Sequence, residues 1–276
     1  MIRPVKTPLK ILAALALVAI LFLGGWHVLS PPEKELATYY NLEITGDITS
    51  ETFMTAREHL VTAATDLKKV VINSGGGEGP AALAIGMLIH KHGWDVEVGD
   101  VCVSSCAIFI FPAGKKKYLN ENSLLVFHGG PYQENMMEMV SKFDQEVAKN
   151  GVPTDKVVLG QEGKEGTFKF NPDGTPGYEE VLDFLTMKRD SNAVERLREF
   201  REVSDRFYQE LGVNPLLATH GQTGSYEPLY KSYEYDGFIY RVDSLRKLGV
   251  ENIELKTGEW HPERHPEYRA YEVTYP

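Results

Sequence analysis

The chain has 276 residues, 42% of them hydrophobic and 25% charged, enough apolar material to bury a substantial core. Its formal net charge of -10 excludes a general nucleic-acid binder, because phosphate contacts need clustered lysine and arginine. The short run Lys115-Lys116-Lys117 reads as a solvated turn, and two cysteines are too few for a disulfide framework or, without histidines, for a structural zinc site.

The N-terminus differs in kind from the rest. Arg3, Lys6 and Lys10 precede the apolar run "ILAALALVAILFLGGW", Ile11–Trp26, a basic region followed by a stretch of about bilayer length. An uncleaved signal anchor and a cleaved secretory signal compete here; no A-x-A site follows the run, which favours the anchor. Residues 1–30 are therefore expected to form one transmembrane helix. The positive flank stays inside, so everything after about Pro31 lies across the membrane. In a bacterium this describes a single-pass inner-membrane protein with its main domain in the periplasm. That compartment permits a disulfide, and Cys102 and Cys106 can pair only if their Cα atoms come within about 7 Å.

From Ala37 the stretch "ATYYNLEITGDI" predicts a strand and turn, and "TSETFMTAREHLVTAA" a helix capped by Thr49 or Ser50. "KKVVINSGGGEGP" is a buried strand running into a tight loop. Pro80 opens the next helix and Gly93 closes it. "WDVEVGDV" is a strand, "SSCAIFIF" fits helix or strand equally, and "KYLNENSLLVFHGG" is a turn and a strand ending at His128. Strands and helices alternating in this order predict an α/β fold with mainly parallel pairing. Residues 133–225 are rich in helical patterns and predict an insertion between core segments 31–132 and 226–259. "DGFIYRVDSLRKLGVENIEL" returns as strand, helix and strand, and residues 260–276 form an extended tail. Its prolines disrupt any face that would align His261, Glu263 and His265 on a metal, so no metal site is expected.

The glycine loop after the strand lacks the Gly-Lys-Ser/Thr of a phosphate loop and the spacing of a dinucleotide fingerprint. Consecutive glycines can instead turn backbone N–H groups toward an oxyanion. Ser104 and Ser105 begin an apolar segment whose helical start would favour developing negative charge. His128, flanked by Gly129 and Gly130, is of the type that serves as general base for a serine hydroxyl.

Over Val70–Gly130 the chain resembles the ClpP-like serine peptidases of the ClpP/crotonase superfamily, in particular periplasmic ones. "INSGGG" stands where that family has I-N-S-P-G-G. A helix, a strand, a small-small-Ser turn, the Ala113-Gly114 pair and a strand ending in His follow in order. The resemblance implies a ClpP/crotonase-like fold with a helical insertion. It also implies a serine peptidase that cleaves peptide or protein substrates, needs no cofactor and forms a homo-oligomer. Spacing from Gly76 and back from Ala113-Gly114 selects Ser105 as nucleophile. Aligning on the C-x-S-x-C pattern of periplasmic relatives selects Ser104; the spacing is preferred, because one inserted residue rotates a helix by about 100°. His128 would be the base and Asp236 the acidic partner, with Glu234 and Asp243 nearby and a Ser–His dyad as the alternative. The N–H groups of Gly76 or Gly77, with that of Cys106, would form the oxyanion hole. A non-catalytic envelope scaffold of the same fold is the rival reading. An acyl-CoA enzyme is a weaker one, since a periplasmic address removes its CoA.

Overall fold

Each parallel strand needs a crossover before the next, and the first half of the chain supplies them in turn. The computed structural model describes residues 40–62, 67–133 and 193–276 apart from Tyr268, with scattered positions between 136 and 149. The expected membrane helix at 1–30 and most of the expected insertion lie outside these residues. Among the described residues no helix is long and apolar enough to cross a membrane.

The elements run β1 (Tyr40–Thr45), α1 (Ser50–Thr62), β2 (Leu67–Ser74), α2 (Gly79–His92) and β3 (Asp95–Val103). Pro80 sits in the first turn of α2, where its missing N–H costs nothing, and Gly93 closes the helix at φ 65°. The ambiguous apolar run is helical: a π-type turn at Cys106–Ile110 passes into a 3₁₀ turn at Phe111–Ala113. β4 (Lys117–Leu119) and β5 (Leu124–Val126) follow.

One six-stranded sheet is ordered β1-β2-β3-β4-β7, the last being Ile253–Leu255, with β5 also beside β3, and every pairing in it is parallel. β3 serves two neighbours in succession. Val96–Val98 pair with β4, and Val101–Val103 pair with β5. A register shift toward β2 accompanies the change. The core fills one side: Val70, Ile72, Val96 and Val98 meet Ala82, Ile85 and Ile89 of α2 and Ile108 and Phe109 of the helical turn. Burial of such side chains stabilises by roughly 1.5–3 kcal/mol each.

The described positions 136, 138, 141, 142, 145 and 149 are helical. α3 (Ala193–Leu211), from the end of the region read as an insertion, joins the main core through Phe200, Val203, Phe207 and Tyr208. Three 3₁₀ turns and α4 (Glu227–Ser232) lead to β6 (Gly237–Tyr240), α5 (Val242–Lys247) and β7 (Ile253–Leu255). β7 pairs with β4, but β6 does not enter the main sheet. It pairs in parallel with β8 (Ala270–Val273), so the tail passes through a 3₁₀ turn at Pro262–Arg264 and ends in a strand. The basic run at 115–117 also departs from the solvated turn expected of it. Lys117 opens β4 and is only 6% exposed, because the strand's alternation turns its side chain inward.

Candidate functional site

The C-terminal ends of β2, β3 and β5 lie side by side, and each leads directly into one part of the site. β2 ends at Ser74, whose hydroxyl donates to the Gly46 carbonyl at 2.6 Å and accepts from the Gly76 N–H at 3.0 Å. Gly76 therefore spends its N–H on shaping the loop. The neighbouring Gly77 lies at φ 147° against Ile48, where a Cβ would sit 2.1 Å from the Ile48 carbonyl oxygen. The bridge between Ile48 and Gly77 uses the Gly76 carbonyl and the Glu78 N–H. That leaves the Gly77 N–H without a partner among the described residues. The Glu78 carboxylate accepts from the Ser50 N–H at 3.1 Å and hydroxyl at 2.7 Å, capping α1.

β3 ends in the turn that holds both serines. Ser104 has φ 60°, a left-handed conformation that a non-glycine side chain adopts only under constraint. The constraints are visible. Its N–H donates to Val126 of β5 at 3.0 Å, and its carbonyl accepts from the Ile108 N–H at 3.1 Å. A Cys102–Cys106 disulfide, Cα atoms 5.3 Å apart, closes the turn around it. Its side chain abuts the glycine loop: a Cβ built on Gly76 would lie 2.6 Å from the Ser104 Cβ and 3.2 Å from its Oγ. Ser105 is placed differently. It is 3% exposed, and its buried hydroxyl has no hydrogen-bond partner among the described residues.

The π-type turn bears on the residue count between the serines and Ala113-Gly114. A π turn carries one residue more than the α-helical turn it replaces. Cys106–Ile110 thus takes up the extra residue that the count back from Ala113-Gly114 assigned to the serine position. The Ile108 carbonyl within it accepts from the buried Tyr208 hydroxyl at 2.8 Å. At the start of this segment the N–H groups of Ser105 and Cys106 precede the first intrahelical bond, as at any helix N-terminus.

His128 follows β5 by two residues, next to the strand end that carries Ser104, since Val103 and Val126 are partners in the ladder. Its backbone is fixed on both sides. Phe127 and Phe238 exchange two hydrogen bonds of 2.8 Å, and the buried Gln222 amide donates to the His128 carbonyl at 2.8 Å. A Cβ on Gly129 would fall 2.6 Å from that amide nitrogen, so only glycine fits there. Nothing in the sequence around Gln222, "THGQTG", marks it as part of a site.

Asp236, the expected acidic partner, stands two residues before Phe238 but turns outward. Its carboxylate is 62% exposed and lies 3.8 Å from Arg269. Asp243 is 89% exposed and pairs with Arg246 at 3.3 Å, and Glu234 is exposed. Among the described residues no carboxylate hydrogen-bonds the His128 ring. The tail histidines are drawn apart. His261 lies between Glu259 and Glu263 at 2.9 Å each, while His265 reaches Asp100 at 3.2 Å. Among the described residues no three ligating side chains gather as a metal site would need.

No protein-family model matches this chain, and no curated protein matches it. Among solved structures it is similar to the 1510-N membrane protease specific for a stomatin homolog from Pyrococcus horikoshii. The identity is 19%, over 41% of this chain and 59% of that one, with a TM-score of 0.28. The chain thus spans under two thirds of that protein's length, and a superposition so loose defines neither fold nor activity.

Proposed function

We propose that this chain is a ClpP-like serine peptidase whose nucleophile is Ser104. The supporting observation is the left-handed Ser104, clamped by a disulfide and pressed against a glycine loop at the ends of adjacent parallel strands. Ser104 Oγ attacks the carbonyl carbon of a peptide bond and passes its proton to the His128 imidazole. The oxyanion forms beside the N–H of Gly77 and that of Ser105, the residue following the nucleophile. Collapse of this intermediate breaks the C–N bond, and the amine leaves with the proton from His128. Water then adds to the acyl-serine by the same route in reverse. His128 works with Ser104 as a dyad, its backbone held by Gln222 and its ring without an acidic partner among the described residues. The fold reading is the ClpP/crotonase type, and the address is extracytoplasmic, with residues 1–30 as anchor and a homo-oligomer as the working form.

The test is hydrolysis of an unstructured polypeptide by the purified full-length chain. Cleavage that is lost in Ser104→Ala and in His128→Ala, with the circular dichroism unchanged, is the expected result. A folded wild-type protein that cleaves nothing returns the reading to the non-catalytic scaffold.

A further inference from the structure

Three helices end at one place, at the edge of the sheet opposite the serine. α2 stops at Gly93, α3 at Gly212 and α5 shortly before Gly249, and all three glycines are left-handed, at φ 65°, 70° and 90°. With Pro112–Lys115, Glu251 and Asn252 they line a cleft of about 450 Å³. Its walls are fixed, since a Cβ on Gly249 would lie 2.1 Å from the Gly212 carbonyl oxygen. Lys117 is part of this lining. Its register partner Val96 precedes Val103 by seven residues along β3, so roughly 20 Å separates the cleft from Ser104.

The Lys117 N–H donates to the Asn252 carbonyl at 2.9 Å, which anchors the residue. Its side chain is 6% exposed and has no hydrogen bond or ion pair among the described residues. An ammonium so placed has lost most of its water and gained no counter-ion. The charged groups around it are Glu251, Asp95 on β3, Lys115, and His90 on α2, which faces Glu210 of α3 at 3.5 Å. Burial outweighs the opposing pull of Glu251 and Asp95 and brings the amine down to about 8. A desolvated lysine in a cleft is a nucleophile at near-neutral pH. The converging helix C-termini and Glu251 make the cleft a poor home for an anion.

We propose that Lys117 is a nucleophilic amine and that its cleft takes a small uncharged aldehyde, which condenses with it. The Nζ lone pair attacks the carbonyl carbon and the C–N bond forms. The carbonyl oxygen then leaves as water, leaving an imine; no oxidant or reductant takes part. This site is independent of the serine chemistry.

The experiment exposes the full-length protein to limiting benzaldehyde with cyanoborohydride, which traps the imine, and maps alkylation lysine by lysine by mass spectrometry. Lys117 is expected to react at least tenfold faster than the exposed Lys91 and Lys247, which lie outside the cleft lining. In urea its advantage should vanish. A Lys117 that reacts no faster than those two in the folded protein, or that keeps its advantage in urea, overturns the proposal. Both readouts come from the wild-type chain, so neither depends on a variant folding.

Discussion

A methyl group at position 76 would fall 2.6 Å from the Cβ of Ser104 and 2.7 Å from the Val103 carbonyl oxygen. The glycine loop and the serine turn are in contact through an atom that glycine lacks. Gly76 also has φ 100°, outside the range an L side chain adopts easily. Gly76→Ala is therefore expected to cost about 1–3 kcal/mol of stability. It should lower peptidase activity at least 100-fold, because the loop must retreat from the hydroxyl it abuts. Chemical denaturation and a turnover assay on the same preparation measure the two effects.

The outward-facing Asp236 and the buried Gln222 make opposite predictions. Asp236→Asn removes an exposed carboxylate 3.8 Å from Arg269 and should leave turnover within about threefold, as surface changes usually do. Gln222→Leu removes the donor to the His128 carbonyl and leaves that half-buried group unpaired, a loss of about 1 kcal/mol. A steep fall in turnover with Asp236→Asn would show that the carboxylate swings onto His128 during catalysis.

The disulfide closes a short loop around Ser104. By chain entropy alone such a loop contributes about 2 kcal/mol. Mild reduction should lower the denaturation midpoint accordingly and reduce turnover by more than the unfolded fraction explains, since the freed turn relaxes Ser104 from its left-handed conformation. Parallel measurements of folded fraction and rate across a thiol titration check this.

Glu97 supplies the pH dependence. Burial acts to raise its carboxyl, but hydrogen bonds from Lys256, at 2.7 Å, and from Lys69 outweigh burial and hold it below the ordinary value of 4.5. A carboxylate depressed by folding stabilises the native state above its unfolded value, and that contribution is lost as pH falls through the folded one. Stability should therefore drop as pH is lowered below about 4.5. In Glu97→Gln this part of the slope should be missing, as urea midpoints at successive pH values will show.

The parallel core was legible because its strands are β-branched runs stopped by glycine or proline, as in "KKVVINSGGG". The helix between Pro80 and Gly93 carried both end signals. β8 was not legible: its partner β6 lies some thirty residues upstream, and a parallel pairing at that separation leaves no local mark. Lys117 looked like the end of a solvated run because charge alone does not say which way a strand turns its side chains. The choice between Ser104 and Ser105 was not open to counting alone. The spacing rule assumes an α-helix, and the π-type turn at Cys106–Ile110 breaks that assumption by one residue. His128 and the glycine loop needed no such count, since each follows a strand end directly.

The central claim is that Ser104, and not its neighbour, is the nucleophile. The most direct measurement is fluorophosphonate labelling of the folded wild-type protein, with the adduct located by peptide mass spectrometry and repeated in Ser104→Ala and Ser105→Ala. Ser105→Ala removes a buried hydroxyl with no partner among the described residues and should be more stable by about 1 kcal/mol, so loss of folding will not confuse its result. The account predicts an adduct on Ser104 that persists in Ser105→Ala and disappears in Ser104→Ala. An adduct on Ser105, or none on the folded protein, would contradict it.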